Sequence, residues 1–203
     1  MLAHEKELIL GQSGSGKTFE MIQRFKKSDR AIYFDLTNDT FNPKEPMTGV
    51  NGAIIYNDVT EFAENIYFLA QLQKFKVILK FDDVKKYEKI IEFIWLSKIS
   101  NIVLFIDEIH IFAPSKKISD ALKNIIVLGR HRNLNLVIAS QRPLMVNPVA
   151  RSQMTKITTF RQTEKRDLQL LAEHGFDINK VYNLNFSKHE KITVDYSQKM
   201  LEK

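Results

Sequence analysis

Leu8-Ile9-Leu10-Gly11-Gln12-Ser13-Gly14-Ser15-Gly16-Lys17-Thr18 is the stretch from which the fold is read. Its last eight residues match G-x-x-x-x-G-K-[S/T], the pattern of a phosphate-binding loop, and the flanks matter as much as the pattern. An apolar strand, Leu8–Leu10, runs straight into the loop, and an amphipathic helical stretch, Phe19–Phe25, leaves it. Glycine lets successive backbone N–H groups turn toward one centre, because a residue without Cβ accepts those dihedrals cheaply. The helix that follows adds its N-terminal amides and partial positive charge, so a triphosphate meets a preformed anion site. Gly11, Gln12, Ser13, Gly14, Ser15, Gly16, Lys17 and Thr18 are therefore the candidate phosphate residues. Lys17 is expected to reach the β- and γ-phosphates, and the Thr18 hydroxyl to hold Mg²⁺. The chain has only seven glycines, and three of them fall within this loop.

Outward from the loop, short apolar runs alternate with longer helical patterns. Strands are expected at Glu7–Leu10, Ala31–Asp35, Ala53–Tyr56, Lys76–Phe81, Ile102–Ile106, Leu134–Ser140 and Thr155–Phe160. Helices are expected at Lys17–Lys27, Asp58–Leu72, Val84–Lys98, Ile118–Leu128 and Glu164–His174. Nearly all-apolar strands such as Ile-Val-Leu-Phe-Ile belong in sheets covered by helices on both faces. The alternation argues for an α/β fold with a mostly parallel central sheet. Thr37–Gly52, with its Pro, Asn and Gly, is the one long irregular segment and reads as a surface loop. The 203 residues are read as a single domain, 1–203, closed by a pair of short strands within Asn183–Tyr196.

Hydrolysis at such a loop needs a carboxylate on a neighbouring strand. Ile102–Ile106 ends in Asp107-Glu108, at the strand end where ligands bind in open α/β sheets. Asp107 is the expected magnesium partner, and Glu108 the general base that polarises the attacking water. A second strand, Leu134–Ser140, ends in Gln141-Arg142-Pro143. Gln141 is a candidate for contact with the γ-phosphate or the attacking water. Before that strand lies Gly129-Arg130-His131-Arg132-Asn133. Arg130 and Arg132, with Arg142, are candidates for a finger reaching a neighbouring subunit's phosphate.

Composition narrows the chemistry. Cys is absent, which excludes a disulfide scaffold, a thiolate zinc site, an iron–sulfur cluster and a cysteine nucleophile. His4, His110, His131, His174 and His189 are scattered with no close pair, which argues against a zinc site. Thirty Lys+Arg against 24 Asp+Glu gives +6, a balance that favours a polyanionic partner. No apolar run approaches a membrane span, and the acidic N-terminus lacks a signal-peptide pattern, so a cytoplasmic location is expected.

GQSGSGKT (11–18), IVLFIDE (102–108) and GRHRNLNLVIASQRP (129–143) together resemble the FtsK–HerA superfamily of DNA-translocating ATPases, in order and spacing over residues 5–161. Without barrel, membrane or DNA-reading additions, the chain looks most like the genome-packaging ATPases of icosahedral viruses with an internal membrane, archaeal turreted viruses included. The resemblance implies a RecA-like P-loop NTPase core with a Walker-type loop, ATP and Mg²⁺ at subunit interfaces, and Gln141 as a sensor. It further implies a homo-oligomeric ring, usually a hexamer, that pushes double-stranded DNA through its channel without reading sequence. The isolated chain is expected to be monomeric where DNA or a capsid templates assembly. A capsid or membrane protein at a viral vertex is the implied docking partner, in the host cytoplasm or on the virion. Lys44, Lys116 and Lys117 are candidate channel residues. Two other readings stay open: a plasmid-mobilisation or phage-export ATPase of the same superfamily, and a small nucleotide or nucleoside kinase, whose basic lid Arg130 and Arg132 would imitate.

Overall fold

The computed structural model describes residues 5–37, 40–41 and 52–197. In chain order the elements are β1 (Lys6–Leu10), α1 (Lys17–Lys27), β2 (Arg30–Phe34), β3 (Ala53–Tyr56), α2 (Val59–Gln71) and β4 (Phe75–Leu79). They continue with α3 (Val84–Leu96), β5 (Ile102–Ile106), α4 (Asp120–Leu128), β6 (Leu134–Ser140) and α5 (Pro148–Ser152). The chain then closes with β7 (Lys156–Phe160), α6 (Lys165–Glu173), α7 (Ile178–Tyr182) and β8 (Lys191–Asp195). Short 3₁₀ turns follow β5, α4 and β6, at Ile109–Ile111, Gly129–Arg132 and Pro143–Met145.

The strands form one eight-stranded sheet in the order β3-β4-β2-β5-β6-β1-β7-β8. Every neighbouring pair is parallel except β7 with β8. The expected α/β sheet is therefore present, and its two faces are unequally covered. Leu8 and Leu10 of β1 point into a large core with Phe62 and Ile66 of α2, Ile90 and Ile94 of α3, Ile125 of α4 and Leu171 of α6. Ile9 points the other way, into a smaller core that α1 closes with Met21, Ile22 and Phe25. Phe25 meets Tyr33 and Phe105 edge-on at 5.4 and 5.6 Å. That geometry matches the aromatic quadrupole and fixes the helix against β2 and β5.

Two expectations are corrected here. Asn183–Tyr196 holds one strand rather than a pair, because β8 finds its partner in β7, with Lys156 opposite Asp195 and Phe160 opposite Lys191. Two short helices, α5 and α7, also stand where none was expected. Asn147 caps α5, with Pro148 at its first position, and Asp177 caps α7 by accepting from Asn179 N and Lys180 N. Most of the segment 37–52, Lys44 included, lies outside the described residues. Among the described residues no helix is long and apolar enough to cross a membrane.

One buried hydroxyl pins the strand ends that lead toward the site. Tyr87 Oη accepts from Phe81 N at 2.9 Å and donates to Asp35 O at 2.6 Å. It thereby ties α3 to the chain leaving β2 and β4, and burial pushes its pKa up to about 12. Tyr87→Phe removes two hydrogen bonds, so it is expected to cost about 1–3 kcal/mol. Urea unfolding should read that loss as a lower midpoint with an unchanged slope.

Candidate active site

The phosphate loop is built by backbone demands that only its own residues meet. Gly14 has φ 76° and Gly16 φ 101°, a left-handed region that costs other L-residues about 1–2 kcal/mol. Gly11 is required for a different reason, namely close approach. A Cβ there would lie 2.4 Å from Ser15 Oγ and 2.8 Å from Phe160 Cβ. Ser15 N donates to Gln12 O at 3.1 Å, folding the loop, and Gly11 N donates to Ser140 O at 3.3 Å, anchoring it to β6. Helix α1 begins at Lys17, whose side chain is buried with Nζ donating to Gln12 O at 3.2 Å. Burial pushes the Lys17 ammonium below its ordinary value, while Glu108 and Asp107 pull it back up.

Across the sheet, Thr18 Oγ1 donates to Asp107 Oδ2 at 2.7 Å. Asp107 follows β5 and is only 5% exposed. Burial raises its carboxyl above the ordinary range, opposed by the Thr18 hydrogen bond, with the Glu108 charge raising it further. Glu108 is held with φ 49° and ψ 49°, an unusual conformation for a non-glycine residue and one found at functional positions. Gln141 Nε2 donates to Glu108 Oε1 at 3.0 Å. Glu108 Oε2 lies 3.2 Å from His110 Nδ1 but has no hydrogen-bond partner among the described residues. Ser15 Oγ is likewise buried and unpartnered. A cavity of about 460 Å³ opens here, lined by Gly14, Gly16, Lys17, Thr18, Phe19 and His189.

The structure thus brings together Gly11–Thr18, Asp107, Glu108 and Gln141. It does not bring Arg130 or Arg132 to this site within one chain. Both precede β6 at the end opposite Gln141, and seven strand residues span about 20 Å. Arg130 is exposed. Arg132 is committed elsewhere: it donates to Trp95 O at 2.5 Å and lies 3.9 Å over the Trp95 ring. Arg142 is tied to buried Asp167, with Nε to Oδ2 at 2.7 Å, a contact that raises the guanidinium pKa. Lys116 and Lys117 are exposed in the loop before α4.

Gln162 and His189 were not legible in the sequence as contributors, whereas the position of His110, two residues after the acidic pair, was. Gln162 Nε2 donates to Gln141 O at 3.0 Å, holding the backbone of Gln141. His110 stands beside Glu108 and Ser140. His189 Nδ1 lies 2.9 Å from Ser15 O, so a residue from the far end of the chain touches the phosphate loop. Among the described residues no three His, Asp or Glu side chains gather into a metal-binding group. A cation at Thr18 and Asp107 would take its remaining ligands from phosphate and water, the habit of Mg²⁺.

No protein-family model matches the sequence, and neither does any curated protein. Solved structures do match in fold. The genome packaging NTPase B204 from Sulfolobus turreted icosahedral virus 2, in complex with sulfate, superposes with a TM-score of 0.73 at 20% identity. That match covers 98% of this chain and 94% of the other. The same NTPase in complex with ATP-gammaS gives 0.71 at 18% identity, covering 98% and 95%. B204, the DNA-packaging ATPase from Sulfolobus turreted icosahedral virus, gives 0.71 at 20% identity, covering 98% and 95%. The chain therefore has their P-loop NTPase fold along almost its whole length.

Gly16→Ala tests the loop against a control. Gly175 also has positive φ, at 84°, but nothing lies within 4 Å of a Cβ there, whereas a Cβ on Gly16 would sit 3.1 Å from His189 Nδ1. Both substitutions are expected to cost about 1–2 kcal/mol of backbone strain. Only Gly16→Ala should add a further loss and disturb the loop, read as the lower urea midpoint of the two.

Proposed function

We propose that this chain is an ATPase of the FtsK–HerA superfamily that moves double-stranded DNA, acting as the genome-packaging motor of a virus with an internal membrane. The observation that carries the reading is the Gln141–Glu108 hydrogen bond standing beside the Thr18–Asp107 pair at the mouth of the phosphate loop. A module that only senses nucleotide needs the loop and the Thr18–Asp107 pair. It does not need a partly buried carboxylate with one oxygen unpartnered and the other held by a glutamine.

Each side chain then has a defined task. Lys17 exchanges Gln12 O for β- and γ-phosphate oxygens. Glu108 takes the proton of the attacking water, while Gln141, bonded to its Oε1, orients that water and the carboxylate. Thr18 and Asp107 would hold a magnesium ion, whose oxygen-ligand preference fits a hydroxyl and a carboxylate, and the ion would supply positive charge against the negative charge that develops on the phosphate.

DNA contact is assigned to exposed lysines such as Lys116 and Lys117, which meet phosphates without reading bases. The +6 balance supports it. Ring assembly is part of the proposal, with Arg130 as the residue free to cross to a neighbour's phosphate. Arg132 supports the segment through Trp95. A kinase would need a basic lid over the phosphates, and the arginine pair that would imitate one lies at the other end of β6.

Hydrolysis should rise when long double-stranded DNA is added. Lys17→Ala should lower turnover at least about tenfold with the fold intact. Glu108→Gln should bind ATP with Mg²⁺ as well as the parent yet lose about 10²–10⁴-fold in turnover, whereas Asp107→Asn should weaken the Mg²⁺-dependent binding itself. Calorimetry beside a phosphate-release assay separates the two, and identical behaviour would refute the division of roles.

A mixing experiment addresses the ring. Inactive Lys17→Ala subunits combined with inactive Arg130→Ala subunits on DNA should recover part of the activity at interfaces that pair an intact loop with an intact Arg130. No recovery despite proven co-assembly would remove Arg130 from the role.

A further inference from the structure

The phosphate loop is gripped on two sides, and only one side has a task so far. Glu108 and Gln141 stand on the β5–β6 side, where the γ-phosphate must end. A nucleotide held that way extends its α-phosphate, ribose and base toward the other neighbour of β1, which is β7 and then β8. That side carries the turn between α7 and β8. His189 Nδ1 lies 2.9 Å from Ser15 O, and a Cβ on Gly14 would sit 3.5 Å from the Phe186 ring. A half-buried aromatic ring thus stands directly over a loop glycine that bears no side chain.

The turn is built rather than loose. Asn185 N donates to Glu190 Oε2 at 2.8 Å, Lys188 N to Asn185 Oδ1 at 3.1 Å, and His189 N to Phe186 O at 3.1 Å. Lys191 Nζ pairs with Glu20 Oε2 at 2.6 Å, lashing the start of β8 to α1. His189 itself has φ 51°, a conformation that the contact with Ser15 helps to hold. Beside the turn lies a second recess of about 350 Å³, lined by Arg161, Tyr182 and residues 183–187. Arg161 Nε donates to Tyr182 O at 3.2 Å with its guanidinium 5.7 Å from the Tyr182 ring. A flat ring, a neighbouring guanidinium and backbone amides are the chemistry that receives a nucleobase.

We propose that the Asn185–His189 turn is the nucleoside arm of the site, with Phe186 as the face on which the base stacks and His189 as the link that sets the arm against the phosphate loop. The inference rests on the reading of Gly11–Thr18 as a phosphate site. It assigns the base contact to a stacking surface, which tolerates any base and favours the larger purines.

The test uses the full chain and two probes, a non-hydrolysable ATP analogue and inorganic tripolyphosphate, each titrated with Mg²⁺ by calorimetry. Phe186→Ala is expected to weaken the ATP analogue about tenfold and to leave tripolyphosphate unchanged, while Phe186→Trp restores the parent affinity. If Phe186→Ala binds the ATP analogue as the parent does, the base sits elsewhere and the inference falls, with the phosphate site untouched. If the parent chain binds neither probe, the phosphate reading itself is wrong.

Should Phe186→Ala weaken both probes, the packing of the turn has been disturbed, and Phe186→Leu is read instead, because it fills the contact without a ring. It should lose affinity for the ATP analogue alone. Parent-like binding of both probes by Phe186→Leu, or loss of both, would overturn the stacking role.

Discussion

The site depends on a spacing problem that the sheet has to solve. The strands bearing its two halves, β1 with the phosphate loop and β5 with Asp107, are not neighbours, because β6 lies between them. Their axes are therefore about 10 Å apart. Register keeps the three strands useful to one another. Leu10 pairs with Ser140, and Ile106 pairs with Ile138. Continuing those pairings puts Glu108 level with Ser140 and Gly11 level with Gln141. A slip of one residue in β6 would point Gln141 to the opposite face. Held in place, Gln141 occupies the gap and reaches Glu108, while the first turn of α1 leans over it so that Thr18 reaches Asp107 at 2.7 Å.

The electrostatics of this arrangement are unbalanced on purpose of binding. Lys17 and Asp107 are both nearly buried, and burial pushes each toward its neutral form, the ammonium down and the carboxyl up. Each is opposed by the other's charge, Lys17 more strongly by Glu108 and Asp107 more strongly by the Thr18 hydrogen bond, so each keeps a partner if the other is removed. Glu108 makes two carboxylates against one ammonium. A triphosphate entering that field meets net repulsion from the side chains. Loop amides and the start of α1 offset part of it, and a divalent cation between Thr18 and Asp107 is the natural source of the remainder.

Much of this was legible in the sequence because it is carried by local pattern. The loop, β1, α1, β5 and β6 each announce themselves within a dozen residues by apolar period and by glycine placement. What stayed hidden is what depends on distant partners. Lys191–Asp195 alternates as a strand should, but nothing local says that its partner is β7 rather than a second strand of the tail. Gly129–Arg132 carries two arginines that read alike, and only the fold places Arg132 over Trp95, 37 residues away, while leaving Arg130 exposed. His189 has no motif around it, and its contact with Ser15 spans 174 residues. The helix α5 was readable from Asn147-Pro148, a cap followed by a proline at the first position, but it is too short for an apolar period to mark it.

Of the five described non-glycine residues with left-handed dihedrals, Lys98, Asn101 and Asn133 lie away from the site, while Glu108 and His189 flank the phosphate loop from opposite sides, at about 1–2 kcal/mol each. Strain of this kind persists only where surrounding contacts over-determine it. Here those contacts are the Gln141 and Asp107 hydrogen bonds around Glu108, and the Ser15 and Phe186 bonds around His189. Between them, Lys17 rests on Gln12 O rather than standing unbonded. Anion binding therefore exchanges one acceptor for another at Lys17 instead of creating a bond from nothing, which lowers the net gain at that residue. The affinity has to come from donors whose needs are unmet, and these are the loop amides and Ser15 Oγ, which is buried with no hydrogen-bond partner among the described residues.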